Sequence, residues 1–112
     1  MADTNFSGLA ASDNLTIGAT GTATPITQIR VYSQTITPAS VAAATVAEQT
    51  FTVTGLATTD KVMVNPAATG NATGIAGARV SAANTLAVAF VNPTAGALVP
   101  GAGTYNIIAF RS

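Results

Sequence analysis

The clearest alternation of apolar and polar positions runs from Glu48 to Asn65, EQTFTVTGLATTDKVMVN. Phe51 and Val53 fall on one face of an extended chain, and Thr50, Thr52 and Thr54 fall on the other. A Gly-Leu-Ala-Thr-Thr-Asp connection follows, after which Val62 and Val64 alternate with Lys61, Met63 and Asn65. A period of two, β-branched residues and a turn bearing Gly and Asp predict two half-buried antiparallel strands, the central pair of the fold.

The pattern weakens towards the N-terminus. In ITQIRVYSQTI (26–36), Ile29 and Val31 share one face while Gln28, Arg30 and Tyr32 share the other, which predicts a strand with Arg30 outward. Thr37-Pro38 ends it, because proline cannot donate to a ladder. The segment Ala39–Ala47 carries β-branched Val41, Thr45 and Val46 and reads as an extended crossing despite its alanines. Residues 1–25 hold only Phe6, Leu9, Leu15 and Ile17 as isolated large apolar points, with no sustained period. Fixing so many small residues costs backbone entropy that few side chains offset, so this stretch is expected to be an arm that orders along a partner or stays loose.

Beyond the central pair, PAATGNATG (66–74) is a loop of turn formers. A short Gly-interrupted strand follows at 75–80, with Ala78 and Val80 inward and Arg79 outward, and Ser81–Asn84 reads as a hairpin connection. TLAVAFVN (85–92) places Leu86, Val88 and Phe90 on one face and small Ala87 and Ala89 on the other. The turn-rich stretch 92–103 leads to TYNIIAFR (104–111), where Tyr105, Ile107 and Ala109 oppose Asn106, Ile108 and Phe110. Both faces of this last strand are partly apolar, so it lies between layers or meets another subunit. About six short strands without a helix predict an all-β protein, an antiparallel β-sandwich of immunoglobulin-like or jelly-roll-like kind with six to eight strands. The domain is expected over 26–112, with 1–25 as the extended N-terminal arm.

Charge changes the picture most. Only 7% of the 112 residues are Asp, Glu, Lys or Arg, the net charge is zero, and there is no histidine or cysteine. Ordinary soluble domains carry about 25% charged residues. With little charge to keep molecules apart, the surface is either a well-hydrated threonine surface or one covered by other chains.

The missing histidine removes the usual base of a nucleophile triad. Lys61, the single lysine, stands in an alternating strand and reads as a solvated sheet face. The carboxylates are Asp3 and Asp13 in the arm and Glu48 and Asp60 beside strands, where charges are usually solvated. No metal site is expected without His, Cys or clustered carboxylates, and no cofactor and no enzyme activity are expected. Three arginines and one lysine make no phosphate-neutralising stripe, so nucleic acid is not an expected partner. Arg30, Arg79 and Arg111 are either solvated or paired with Glu48 or Asp60, within or between subunits. Asn14-Leu15-Thr16 and Asn71-Ala72-Thr73 fit the glycosylation triplet at a frequency expected by chance. MADTNFSGLAASDN lacks a basic export region, and no apolar run reaches the ~18 residues of a membrane span.

The runs TPASVAAATVAEQTFTVTGLATTDKVMVNP (37–66), ARVSAANTLAVAFVNPTAGALVP (78–100) and GTYNIIAFR (103–111), together with NFSG (5–8), resemble small virion proteins of tailed bacteriophages, the capsid decoration (cement) and head-fibre group. These are patterns of strand and turn, not a catalytic signature. The resemblance implies a non-enzymatic structural protein, commonly a homotrimer, that binds the major capsid protein on the outside of the virion and is made in the host cytoplasm. In that setting Phe6, Leu9, Leu15 and Ile17 are expected to grip the capsid, and Tyr32, Tyr105, Ile108 and Phe110 to form the subunit interface. The alternative is a receptor- or carbohydrate-binding module of a phage head fibre or tail fibre, for which Tyr32 and Tyr105 would be the aromatic platforms. A bacterial surface immunoglobulin-like module is disfavoured by the missing export signal.

Overall fold

Alternating β-branched residues, with prolines and glycines between the runs, give six strands: β1 (Gln28–Ile36), β2 (Thr45–Thr52), β3 (Lys61–Asn65), β4 (Gly74–Ala82), β5 (Thr85–Asn92) and β6 (Gly103–Arg111). They come from a computed structural model that describes residues 21, 22, 24, 26–67 and 70–112. All pairings are antiparallel and form two three-stranded sheets, ordered β1-β6-β3 and β2-β5-β4, with no helix among the described residues. The protein is an all-β, sandwich-like fold. The predicted strands are all present, whereas the expected arm over 1–25 falls almost wholly outside the described residues; β4 runs longer than its glycines suggest, with register shifts at Ile75/Gly77 and Val80/Ala82 that absorb the irregularity.

The core lies between the sheets. Leu86, Val88 and Phe90 of β5 and Tyr105, Ile107 and Ala109 of β6 point into it, on the faces their alternation assigns. Val41, Val53, Leu56 and Ile36 close its margins, and Phe51 meets Phe90 edge to face at 6.4 Å. The segment after β1 is extended only as far as Ala42: Val41 is fully buried and exchanges two backbone hydrogen bonds with Leu98, but the chain then turns at 43–44, where Ala44 takes a left-handed φ of 53°, and Thr45 already begins β2. Asn92, also fully buried, fixes this margin. Its amide donates to the carbonyls of Val41 and Gly96, and its Oδ1 accepts from the N–H and hydroxyl of Thr94. With all four bonds made, its burial carries no unpaired polar group.

Two expectations are corrected. The strands of the 48–65 stretch do not pair: β2 joins β5 in one sheet and β3 joins β6 in the other. The connection is pulled across by the β4–β5 hairpin turn, where Asn84 adopts a left-handed φ of 59°. Asn84 accepts from Val53 N–H through its carbonyl and from Gly55 N–H through its side chain, and donates its own N–H to Leu56. β2 therefore ends against the hairpin, and Leu56 and Asp60 are buried during the crossing.

The second correction concerns β1, whose faces are reversed. Tyr32 and Ile36 pack against the core with Arg30 on their side, while Ile29 and Val31 are 50% and 65% exposed. A sheet face is all or nothing, because neighbouring residues alternate. Turning the odd positions inward would bury Ser33 and Thr35 and expose Tyr32 and Ile36. Turning the even positions inward buries the two larger apolar side chains and brings Arg30 to a buried carboxylate, Asp60.

Candidate docking face

Reversing β1 places its apolar residues on the outer face of β1-β6-β3, where register aligns them with those of β6 and β3. Ile29 lies opposite Phe110, which lies opposite Lys61; Val31 lies opposite Ile108, which lies opposite Met63. Ile29, Val31 and Met63 (61% exposed) stand in solvent, and Ile108 and Phe110 are half-buried between them. With strands ~4.8 Å apart and same-face residues ~6.8 Å apart, these five side chains form one block, roughly 10 by 7 Å between Cα atoms. Beside it runs a polar row of Ser33, Asn106 and Asn65, in which the Ser33 hydroxyl donates to Asn106 Oδ1 at 2.7 Å. Between the two, Val31, Met63, Val64, Asn65, Asn106 and Ile108 line a shallow open depression. Lys61 at the margin donates its ammonium to the Thr59 carbonyl. The block exposes on the order of 400 Å² of mostly apolar surface, within the range of functional patches on monomers.

Under one end of this sheet lies the buried charge that orients it. The Asp60 side chain is fully buried and takes a two-bond fork from Arg111, Nε to Oδ1 at 2.6 Å and Nη2 to Oδ2 at 2.8 Å. It also accepts from Ala57 N–H at 3.0 Å and lies 3.7 Å from Arg30 Nη2. Both arginines reach the Gly55 carbonyl, and Arg30 lies over the Tyr32 ring at 5.3 Å. The Arg111 fork, the Ala57 amide and the two positive charges hold the Asp60 carboxyl below the usual aspartate range, against the opposing effect of burial. Asp60 is thus not the solvated charge its sequence position suggests, and Arg30 is not outward. A side chain at Gly55, which has φ +106°, would meet Tyr32 Oη at 3.0 Å, so glycine is required there.

The other outer face also carries an ion pair. Glu48 of β2 and Arg79 of β4 join across β5 at 2.8 and 3.0 Å, opposite the small Ala89 and Ala87. Both are exposed, and the Arg79 hydrogen bonds draw the Glu48 carboxyl below its ordinary value.

The residues singled out in the sequence fall in three places. Phe6, Leu9, Leu15 and Ile17 lie outside the described residues. Ile108 and Phe110 stand together in the apolar block. Tyr105 does not join them: it is 2% exposed, its hydroxyl donates to the Gly101 carbonyl at 2.6 Å, and it offers no surface to a subunit. Tyr32 is half-buried on the inward face, beside Arg30. Sequence reasoning missed Ile29 and Val31 as surface residues, for which the available signal was the apolar character of both faces of β6; Met63 stands outward with Lys61 and Asn65, as its alternation predicts. Asn71 of the described glycosylation triplet is a turn former, its Oδ1 accepting from the N–H and hydroxyl of Thr73 and its amide donating to the Val99 carbonyl. Among the described residues no group of three His, Cys, Asp or Glu could hold a metal ion.

Comparison with protein-family models, with curated proteins and with solved structures finds no significant match. Fold and face together define a two-sheet β module with one apolar outer side and one outer side rich in hydroxyls.

Proposed function

We propose that this protein is a structural assembly module, a virion surface protein of a tailed bacteriophage that binds the shell protein and copies of itself without catalysing a reaction. The observation that carries the reading is the block on one regular sheet face in which Ile29, Val31 and Met63 stand in solvent with Ile108 and Phe110 half-buried between them. A contiguous apolar patch on a rigid sheet is a surface for another protein. The resemblance of 37–66, 78–100 and 103–111 to decoration and head-fibre proteins supplies the partner, the major capsid protein. The arm residues Phe6, Leu9, Leu15 and Ile17 are assigned to the same contact. The fibre alternative draws less support, because neither Tyr105 nor Tyr32 is presented as an aromatic platform. Adding the purified protein to bare shells and imaging them at a resolution that traces the chain tests the reading. The expected result is β1-β6-β3 turned towards the shell; shells that stay bare, or a bound molecule with that face in solvent, contradict it.

A further inference from the structure

Each sheet has two edge strands, and an unpaired edge invites a strand from another chain unless something blocks it. Three of the four are blocked. β3 is only five residues long and carries Lys61. β4 is broken by its two register shifts and carries Arg79. β2 carries Glu48, and Gln49 holds the crossing segment against it, accepting from Ala39 N–H at 2.8 Å and donating to the Ala39 carbonyl at 2.9 Å. β1 keeps only one such device, the inward-turned Arg30, and Asp60 at 3.7 Å compensates its charge; the strand runs nine residues in unbroken register with β6 and contains no proline. Among the described residues no strand lies on its other side.

We infer that the free edge of β1 pairs with β1 of a second copy, antiparallel about a two-fold axis, joining two β1-β6-β3 sheets into one six-stranded sheet. A β1–β1 contact is self-complementary, as a two-fold interface must be. No charge opposes it, because the outward residues of β1 are Ile29, Val31, Ser33 and Thr35. In the register that pairs all nine residues, Ile29 and Val31 of one copy stand opposite Thr35 and Ser33 of the other, so the two apolar blocks lie diagonally on one continuous outer face. One block exposes about half of the ~800 Å² that a standard interface takes from each partner, and the pair supplies about the whole. In this respect the inference rests on the docking role proposed for the face, although the edge itself does not.

The test uses the free full-length protein, without shells, so that its outcome is separate from shell binding. Because the chain has no cysteine, Ser33→Cys on β1 and Lys61→Cys on β3 each accept a single spin label. Analytical ultracentrifugation as concentration rises should reach the mass of two copies. The label at 33 should then give intermolecular distances below ~25 Å, because paired strands lie about 4.8 Å apart and only label length is added, while the label at 61 gives none in that range. Ser33→Lys with Thr35→Lys, both on exposed positions outside the apolar block, should lower dimer affinity at least tenfold without altering the circular dichroism spectrum. A species of three copies, a monomer at every concentration, or a dimer with short distances at 61 instead of 33 overturns the pairing. None of these outcomes bears on whether the face binds shells.

Discussion

On the outer face of β2-β5-β4, Thr50 and Thr52 stand opposite Ala87 and Thr85, and Glu48 reaches Arg79 over two alanines; Val46 and Val91 make its one apolar row. At the corresponding places on β1-β6-β3 stand Ile29, Phe110, Val31, Ile108 and Met63. The two sheets follow the same three-strand antiparallel plan and share one core, so neither fold nor packing requires the difference. A hydroxyl-rich face with a bridging ion pair stays in water at little cost. An apolar face of similar size gains free energy, at roughly 25 cal/mol per Å² removed from water, only when another molecule covers it. The ion pairs diverge in the same way: Glu48–Arg79 lies in solvent, whereas Asp60 is sealed beneath the apolar sheet, where it pairs with Arg111 and, through Arg30, sets which face of β1 looks outward.

Breaking that sealed pair should have the largest effect on stability. Asp60→Ala leaves the Arg111 guanidinium without its carboxylate in a partly buried site, and a loss of about 2–4 kcal/mol is expected in urea unfolding. Gly55→Ala comes next, at roughly 1–3 kcal/mol, since it combines a left-handed backbone with a contact on Tyr32 Oη. Tyr105→Phe removes one hydrogen bond to Gly101 from the core and should cost about 1 kcal/mol in the same assay, while leaving shell binding and oligomer mass unchanged, because the ring is internal.

The pH dependence separates the two ion pairs further. The Asp60 carboxyl is depressed in the folded state, so its stabilisation is complete above the ordinary aspartate pKa of about 3.9 and drains away as pH falls through the lower folded value. The urea midpoint should change little through this group between pH 7 and about 4 and fall below that, and Asp60→Asn should flatten the fall. Arg79→Ala is expected to leave the midpoint unchanged within error, because the pair it breaks is exposed and screened.

Much of this architecture was legible in the sequence. The inward sets Leu86, Val88, Phe90 and Tyr105, Ile107, Ala109 follow from alternation alone, because each of these strands has one face that is clearly the larger apolar one. β1 was not legible for the same reason inverted. Its two faces are nearly balanced in apolar content, and the decision rests with Asp60, thirty positions away from Arg30, which no local pattern exposes. The separation of β2 from β3 likewise depends on Asn84, a residue of a distant hairpin that captures the connection between them. The apolar outer face was half visible: Ile108 and Phe110 were placed by the doubly apolar last strand, whereas Ile29, Val31 and Met63 join them only through register.

The contrast between the two outer faces is most directly tested by giving each the same pair of charges and titrating both variants against bare shells. Val31→Asp with Met63→Asp should weaken binding about 100-fold or more, the loss of two central apolar anchors, while Thr50→Asp with Thr52→Asp should bind as the unaltered protein does. Equal binding by both variants, or loss only in the threonine pair, would contradict the assignment of β1-β6-β3 as the face that docks.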